Sequence, residues 1–303
     1  MAIQWFPGHM NAAKKKIAEN LRNIDVVVEL LDARLPKASS NPLIQELREF
    51  RQRPALKILN KTDLADPKIT TLWLDYFKQN GCSAIDINAK QKTDLAKILK
   101  LAQQLAPHRN SAVKPLRLMM LGVPNVGKST LLNALTNKKI AAVGNEPAIT
   151  KMVQRIDVNS QLIIYDTPGL MWNKIADEND GFKLAASHIL GVNSYDAEEV
   201  ALYLAKYLLK DYFHLLKNRY KLTNPFDDNY ENYLQNFHEN SENFSENFYQ
   251  NLVENNLDVQ LLEQIAIKRG CKTNGKIDFT KATNVFLQDY RSGVLGKISL
   301  EIP

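Results

Sequence analysis

The sequence predicts an α/β fold, in which a mostly parallel six-stranded sheet with flanking helices is followed by a smaller all-helical domain. Short apolar segments of strand length alternate with segments whose apolar residues recur three and four positions apart, as on helices. Strands separated by helices pair in parallel, which indicates a doubly wound sheet. After about Trp172 the strand-like segments end and helical spacing continues. We therefore predict two domains, residues 1–176 and residues 177–303.

Six segments of the first domain are predicted as strands and three as helices. The strands are residues 25–31, 54–59, 83–87, 116–121, 152–158 and 161–165, and the helices are residues 68–79, 94–105 and 129–135. Asn159 and Ser160 separate the last two strands, so we expect these strands to form a hairpin. In the second domain, helical spacing covers residues 197–217, 259–267 and 282–290.

One stretch of the second domain has a biased composition. Residues 224–251 are rich in Asn, Glu, Phe and Tyr, and their aromatic residues fall at a spacing that suits one face of a helix. An amphipathic helix and a mobile insertion both remain open for this stretch.

Composition and charge exclude some classes of protein. The 303-residue chain is 45% hydrophobic and 24% charged, which is typical of a soluble globular protein. It has no run of about twenty apolar residues, so we expect no membrane-spanning helix. The two cysteines, Cys82 and Cys271, stand far apart and the N-terminus lacks a secretory pattern, so we expect a cytoplasmic location. The net charge of +6 favours an anionic partner without identifying it.

The strongest chemical signal is a phosphate-binding loop. Residues 122–129 match G-x-x-x-x-G-K-[ST], and they lie between a predicted strand and a predicted helix, which is the required context. Glycine lets backbone N–H groups close around phosphate oxygens. Lys128 is expected to reach the β- and γ-phosphates, and Ser129 to bind Mg²⁺. The other nucleotide contacts predicted in this loop are Asn125, Val126, Gly127 and Thr130.

An N-K-T-D sequence that includes Asn60, Lys61 and Asp63 predicts guanine recognition. It follows an apolar strand, at the sheet edge where such folds bind ligands. The carboxylate of Asp63 can accept hydrogen bonds from N1–H and the exocyclic amine of guanine, a donor pair that adenine lacks. The stem of Lys61 can cover the ring. Two roles remain open for Asn60: bonding the opposite edge of the base, or tying the loop down.

A second base contact is predicted after the next strand. Asn88, Ala89 and Lys90 form an N-A-K triplet there. The backbone N–H of Ala89 is the group expected to meet guanine O6.

A D-T-P-G sequence follows another strand and includes Asp166 and Gly169. Asp166 is expected to hold Mg²⁺ through water, and the N–H of Gly169 to sense the γ-phosphate. Between this sequence and the phosphate loop lies Thr150, which can close over Mg²⁺ in the triphosphate state and release after hydrolysis. The loops together predict GTP as the substrate and Mg²⁺ as the cofactor.

The order of these motifs indicates a permuted chain. The sequence resembles the translation-factor-related GTPases, in which the phosphate loop comes first, whereas here N-K-T-D and N-A-K precede it. A sheet tolerates this order if the usual chain ends are joined and the chain is opened elsewhere. The resemblance thus implies a circularly permuted P-loop GTPase domain.

Within the permuted GTPases, the chain resembles the ribosome biogenesis GTPase A family, of the YlqF type. Besides N-K-T-D and the phosphate loop, the matching segments are residues 5–10 (WFPGHM), 32–36 (DARLP), 166–170 (DTPGL), 268–270 (KRG) and 289–297 (DYRSGVLGK). They span nearly the whole chain. The resemblance implies a cytoplasmic factor that binds a late precursor of the large ribosomal subunit, made of rRNA and ribosomal proteins, and hydrolyses GTP there. We expect it to act as a monomer.

The resemblance also implies a catalytic residue. Many GTPases position water with a glutamine after D-x-x-G, but this chain has Leu170, which cannot orient water. The family's proposed catalytic histidine corresponds to His9, in F-P-G-H-M. The residues alone leave an alternative to the catalytic role open, in which His9 only begins a helix or contacts RNA.

Asn125 is expected to help bind K⁺, as an asparagine at this position does in similar GTPases. The ion would place positive charge near the charge that develops on the phosphate. The alternative is that Asn125 is an ordinary loop residue.

Basic residues cluster near both ends of the chain. They are Lys14, Lys15 and Lys16, then Lys268, Arg269, Lys272, Lys276 and Lys281, with Arg291 and Lys297 later. The resemblance favours contact with rRNA, and solvated helix faces are the alternative. Two other functions stay open: an RNA- or protein-binding adaptor that holds GTP with negligible turnover, and a GTPase that acts on tRNA or a translation factor.

Overall fold

The computed structural model describes residues 9–89, 91, 95–109, 111–136, 153–172, 175–223, 225–226, 230, 252 and 254–303. The chain divides into two compact units. The first comprises the chain up to Leu184 together with His188–Ser194 and Ser299–Pro303, and the second comprises Ala185–Ser187 and Tyr195–Ile298. The sequence predicted one boundary, between residues 176 and 177. The structure differs because the last residues of the chain return to the first unit, where Glu301 pairs with Lys183 at 3.2 Å.

The first unit is built on one six-stranded sheet. Its strands are β1 (Val26–Asp32), β2 (Ala55–Asn60), β3 (Ser83–Asp86), β4 (Leu116–Leu121), β5 (Gln154–Asn159) and β6 (Leu162–Asp166). Each strand begins and ends within two residues of its predicted bounds. Residue 152, the predicted start of β5, lies outside the described residues. The strand prediction is therefore confirmed.

The spatial order of the strands is β3-β2-β1-β4-β6-β5. All neighbouring pairs are parallel except β5 and β6, which form the expected antiparallel hairpin. From β1 the chain moves outward to β2 and β3, and from β4 it moves the other way. The sheet therefore has its topological switch point between β1 and β4, where open α/β sheets bind ligands at the carboxyl ends of the strands.

Among the described residues up to 186, the α-helices are α1 (His9–Asn20), α2 (Pro36–Ser39), α3 (Pro42–Phe50), α4 (Pro67–Gln79), α5 (Leu95–Leu105), α6 (Lys128–Thr136) and α7 (Glu178–Ala186). Helices α4, α5 and α6 match predicted helices. Helix α3 lies outside the predicted segments, although its start has a clear cause: Pro42 occupies its first turn, and the Asn41 side chain accepts a hydrogen bond from the N–H of Leu43 at 3.0 Å.

Strand β1 shows why the sheet is central. All seven of its residues are buried, as expected for a parallel strand covered on both faces. The buried charges of β1 are paired, because the carboxylate of Glu29 accepts from Lys57 Nζ at 2.7 Å. On one face, Val27 of β1 shares a hydrophobic cluster with Ile17 of α1 and Leu170.

The second unit is mainly helical, as predicted. It contains α8 (Ala197–Asp211), α9 (Phe213–Tyr220), α10 (Leu257–Lys268) and α11 (Phe279–Arg291). Two details correct the prediction. The helix predicted over 197–217 is divided at Tyr212, whose φ of −136° and ψ of 28° interrupt the helical backbone. A two-stranded ribbon, β7 (Lys272–Thr273) and β8 (Lys276–Ile277), adds strand to a domain predicted as all-helical.

The biased stretch 224–251 is described at residues 225–226 and 230, and the rest of it lies outside the described residues. Phe226 and Tyr230 are both buried. Their rings contact each other at 5.5 Å between centroids, and Tyr230 contacts Phe213 at 4.7 Å. In the described part of the chain, no helix has the length and apolar character needed to cross a membrane.

Candidate nucleotide site

The phosphate loop connects β4 to α6 at the switch point of the sheet. Gly127 has a φ of +97°, which residues with a side chain rarely adopt. A Cβ atom at this position would also overlap the side-chain amide of Asn60. Gly127 is therefore required both by its own backbone and by the neighbouring loop.

Lys128 is the first residue of α6 and is buried. Its ammonium group donates to the backbone oxygens of Gly122 at 2.9 Å and Val123 at 2.7 Å, which folds the loop around the side chain. Burial lowers the pKa of Lys128 to about 8, although the nearby Asp166 carboxylate opposes this shift. An anionic phosphate beside the ammonium group would stabilise its charged form.

The D-T-P-G sequence packs directly on the phosphate loop. Gly169 approaches so closely that a Cβ atom there would lie 2.9 Å from Pro124 Cα. The N–H of Leu170 donates to Gly122 O at 3.2 Å, and the Thr167 hydroxyl donates to Met120 O at 2.7 Å. The structure thus brings the predicted γ-phosphate sensor and the phosphate loop together.

Ser129 and Asp166 offer a donor set that suits Mg²⁺. Asp166 ends β6 and its carboxylate is buried, while Ser129 lies half-buried in the first turn of α6, as does Thr130. A hydroxyl and a carboxylate are the hard oxygen ligands that Mg²⁺ prefers beside nucleotide phosphates. Thr150, the third predicted ligand, lies outside the described residues.

Asn60 connects the base-reading loop to two other loops. Its amide nitrogen donates to Val126 O in the phosphate loop at 2.7 Å, and its amide oxygen accepts from the N–H of Ala89 at 3.0 Å. Of the two roles left open by the sequence, the structure shows the tie between loops. It also gives the Ala89 N–H a partner within the protein, whereas the sequence assigned that group to guanine O6. Asn88 lies in the same loop, and Lys90 lies outside the described residues.

Lys61 is held by a buried network that the sequence did not assign. Its ammonium group pairs with the Asp32 carboxylate at 2.9 Å. Asp32 also accepts two hydrogen bonds from the Arg34 guanidinium, at 2.9 and 2.8 Å. Burial would raise the pKa of Asp32, but Arg34 and Lys61 outweigh it and hold that pKa well below its usual value. The available signal was the D-A-R-L-P segment, to which the sequence alone gave no role.

Asp63 lies half-buried in a turn that the Leu64 N–H closes by donating to Lys61 O at 2.9 Å. The turn follows β2, and the Thr62 N–H donates to Ile87 O, just beyond β3, at 3.4 Å. The guanine-reading carboxylate predicted from the sequence therefore belongs to the same edge of the sheet as the phosphate loop.

Leu170 follows D-T-P-G, and its side chain is fully buried in the cluster that contains Ile17 and Leu21. Its backbone oxygen accepts from the Asn41 amide at 2.7 Å. Because the side chain belongs to the hydrophobic core, it cannot position a water molecule. His9 begins α1, and its side chain lies outside the described part of the structure.

Asn125 has a φ of 57°, and its amide nitrogen donates to the backbone oxygen of His188 at 2.7 Å. Its amide oxygen is the atom that a K⁺ ion would require. The contact with His188 is a feature that the sequence did not predict.

The basic residues predicted to contact RNA differ in their surroundings. Those at the end of α10 and in the ribbon, Lys268, Arg269, Lys272 and Lys276, are exposed. Arg291 is a correction, because its guanidinium donates to the backbone oxygens of Ala186 at 2.8 Å and Ala185 at 2.9 Å. These bonds satisfy carbonyl groups at the end of α7, which is a structural role.

Comparison with known proteins places the chain in a family. The profile of the family described as "50S ribosome-binding GTPase" matches residues 117–232. Ribosome biogenesis GTPase A of Priestia megaterium is 35% identical over 312 residues, which cover all of this chain and 98% of the relative. The chain belongs to the ribosome biogenesis GTPase A family. Like the other members of this family, it is a GTPase, and GTP is its substrate.

Two further relatives support the assignment. Mitochondrial ribosome-associated GTPase 1 of the mouse is 30% identical, over 98% of this chain and 90% of that protein. The crystal structure of YlqF from T. maritima bound to GNP superposes with a TM-score of 0.60 at 24% identity, over 96% of this chain and 98% of that one. The latter likeness shows the fold and, with the strand order, confirms the circularly permuted GTPase domain.

Proposed function

We propose that this ribosome biogenesis GTPase is an assembly factor for the large ribosomal subunit. It binds a late precursor particle, made of rRNA and ribosomal proteins, and leaves after hydrolysis that the particle stimulates. The observation that carries the proposal is the match to ribosome biogenesis GTPase A over the full chain, second unit included. We also propose that it acts in the cytoplasm and as a monomer.

On the phosphate side, the proposed contacts follow the geometry of the loop. The backbone of residues 125–130 surrounds the phosphates, Lys128 neutralises them and the Gly169 N–H senses the γ-phosphate. Ser129, Asp166 and Thr150 are the proposed Mg²⁺ ligands, and Mg²⁺ supplies charge neutralisation at the phosphates when it is bound.

On the base side, we propose that Asp63 accepts from guanine N1–H and the exocyclic amine. Lys61 covers the ring, and its position is supported by the ion pair with Asp32 at 2.9 Å. The base-reading edge is completed by Asn60, Asn88, Ala89 and Lys90. Asn60 holds the loops together through its bonds to Val126 O at 2.7 Å and the Ala89 N–H at 3.0 Å.

Hydrolysis requires a group that positions water, and Leu170 is buried in the core. We propose His9 for this role on the basis of the F-P-G-H-M segment. His9→Ala should leave GTP affinity nearly unchanged and abolish the stimulated turnover, measured as phosphate release with large ribosomal subunits. His108→Ala, at an exposed histidine elsewhere, is the matched control. Normal turnover in His9→Ala would contradict the role.

We propose K⁺ at Asn125 as a second aid to hydrolysis. The support is the position of Asn125 in the phosphate loop, where a cation would lie near developing negative charge. Turnover should be faster in K⁺ than in Na⁺ at equal ionic strength. Equal rates in the two salts would argue against the ion.

We propose that the mainly helical second unit, Ala185–Ser187 and Tyr195–Ile298, binds rRNA. The exposed basic residues of α10 and the ribbon support this, because phosphate contacts are made by such side chains. Affinity for the precursor particle should fall steeply as salt rises. Lys272→Ala with Lys276→Ala should reduce that dependence, whereas a salt-insensitive affinity would count against RNA contact.

The decisive experiment is GTP hydrolysis by the purified protein in K⁺ buffer, alone and with large or small ribosomal subunits. Strong stimulation by the large subunit alone supports the assembly factor. A second candidate function, an adaptor with negligible turnover, is favoured by the burial of Leu170. Tight GTP binding without stimulation by either subunit would favour that adaptor, and stimulation by tRNA or a translation factor would favour a GTPase that acts in translation.

A further inference from the structure

Residues 299–301, here called the C-terminal strap, contact the elements on both sides of the base-reading loop. All three are buried, although they stand close to the end of the chain. The N–H of Leu300 donates to Arg34 O at 2.7 Å, and the Ser299 hydroxyl accepts from the Asp66 N–H at 3.1 Å. The strap therefore touches the segment before α2 and the residue that caps α4.

Glu301 makes the largest number of contacts that the structure describes within the strap. Its carboxylate accepts from the backbone N–H of Lys37 at 2.7 Å and from that of Ala38 at 3.1 Å. It also pairs with Lys183 at 3.2 Å. Its backbone oxygen accepts from the Trp73 indole at 3.2 Å, which links the strap to the middle of α4. The hydrogen bonds that the Glu301 carboxylate accepts are stronger than bonds between neutral groups, because the carboxylate is charged.

These contacts reach residues that flank Asp63 in the sequence. On one side, Lys61 is held by Asp32, which Arg34 holds in turn, and the strap binds the backbone of Arg34. On the other side, Asp66 is held by Ser299. Asp63 lies between Lys61 and Asp66 in the sequence. The strap bonds Asp66 directly and is linked to Lys61 through Arg34 and Asp32.

We propose that the C-terminal strap, through Glu301 and Ser299, positions the loop that carries Asp63 and thereby determines selectivity for guanine. The proposal rests on the proposed recognition of guanine by Asp63. For one carboxylate to accept hydrogen bonds from both N1–H and the exocyclic amine of guanine, its two oxygens must lie in the plane of the base. Holding Asp66 directly and Lys61 through Arg34 and Asp32 reduces the number of positions that the Asp63 carboxylate can adopt.

The test compares the affinities for GDP and IDP, measured by competition against a fluorescent GDP analogue. Hypoxanthine lacks the exocyclic amine, so the ratio of the two affinities reports the second hydrogen bond to Asp63. The two nucleotides have the same phosphates and ribose, so a general loss of binding cancels in the ratio. A merely structural role of the strap would leave this ratio unchanged.

Glu301→Ala should lower the ratio of the GDP affinity to the IDP affinity by about tenfold. This is the effect of losing the one hydrogen bond between the exocyclic amine and the charged Asp63. Glu301→Gln keeps an oxygen that accepts from the backbone N–H groups and should restore most of the ratio. Ile302→Ala is the matched control, because Ile302 is the next residue and is 67% exposed. Ser299→Ala removes one attachment point and should lower the ratio by about threefold.

The outcomes separate the strap from the guanine site. If the native protein prefers GDP to IDP and Asp63→Ala does not, the role of Asp63 in guanine recognition is supported. In that case, an unchanged ratio of the GDP and IDP affinities in both Glu301→Ala and Ser299→Ala overturns the role of the strap. If the native protein binds GDP and IDP equally, the role of Asp63 fails and the strap proposal fails with it. If Glu301→Ala does not fold, Ser299→Ala decides the question, since it removes a hydroxyl group alone.

Discussion

The phosphate loop and the base-reading loop lie at the same sheet edge but are held by different means. The phosphate loop has support within its own motif, because Lys128 donates to backbone oxygens five and six positions earlier, and it gains further bonds from Asn60 and Leu170. The base-reading loop is held from far away in sequence: Lys61 by Asp32 over 29 positions, and Asp66 by Ser299 over 233 positions. A motif that holds itself together is visible as a pattern in the sequence, whereas support from distant residues is not.

Removing the distant support of the base-reading loop gives the largest expected effect. Arg34→Met leaves Asp32 buried with one cation fewer, so the free energy of unfolding should fall by about 3 kcal/mol in urea titrations. Arg155→Met is the control, because Arg155 pairs with Asp157 at 2.8 Å on the surface, and it should change nothing measurable. Equal stability of both variants would mean that the Asp32 network is not needed.

Damage to the phosphate loop should instead reduce nucleotide affinity. Gly127→Ala combines a φ of +97° with overlap at Asn60, so GTP should bind about 100-fold more weakly by calorimetry. Gly81→Ala shares a positive φ of +68° but has no atom within 4 Å of the added carbon. That control should lose some stability and keep its affinity; similar losses of affinity in both variants would contradict the argument.

A substitution at Leu170 tests whether a glutamine after D-T-P-G, as in many GTPases, would assist hydrolysis in this protein. Leu170→Gln places an amide in the apolar core, so the free energy of unfolding should fall by about 2 kcal/mol without any gain in single-turnover hydrolysis. Leu72→Gln, at a leucine that is 46% exposed, should leave stability nearly unchanged. Faster hydrolysis by Leu170→Gln would show that the side chain reaches the nucleotide.

Asn60 joins the two loops and gives the smallest expected effect. Asn60→Asp loses the donor to Val126 O but keeps the acceptor for Ala89, so GTP affinity should fall about tenfold. Asn80→Asp is the control, since the Asn80 amide also donates to a backbone oxygen, that of Tyr76, at 2.8 Å. Native affinity in Asn60→Asp would mean that the loops are positioned independently.

The sequence by itself determined the sheet and the phosphate loop, and it predicted the base-reading residues. The short apolar segments predicted the six strands of the large sheet, because strands that are buried in a sheet require apolar residues. The G-x-x-x-x-G-K-[ST] pattern was decisive, since Lys128 acts through bonds to Gly122 and Val123 within the eight residues of the motif. The motif order, with N-K-T-D ahead of the phosphate loop, indicated the permutation before any strand was placed.

Tertiary structure alone decided which side chains support the site. The pairing of Asp32 with Arg34 and Lys61, the tie from Asn60 to Val126 and the return of Glu301 to the first unit each join distant residues. Likewise, Leu170 belongs to the core and Arg291 to the end of α7. Hydrogen bonds and ion pairs between distant residues depend on how the chain folds back, and periodicity along the chain reports only near neighbours.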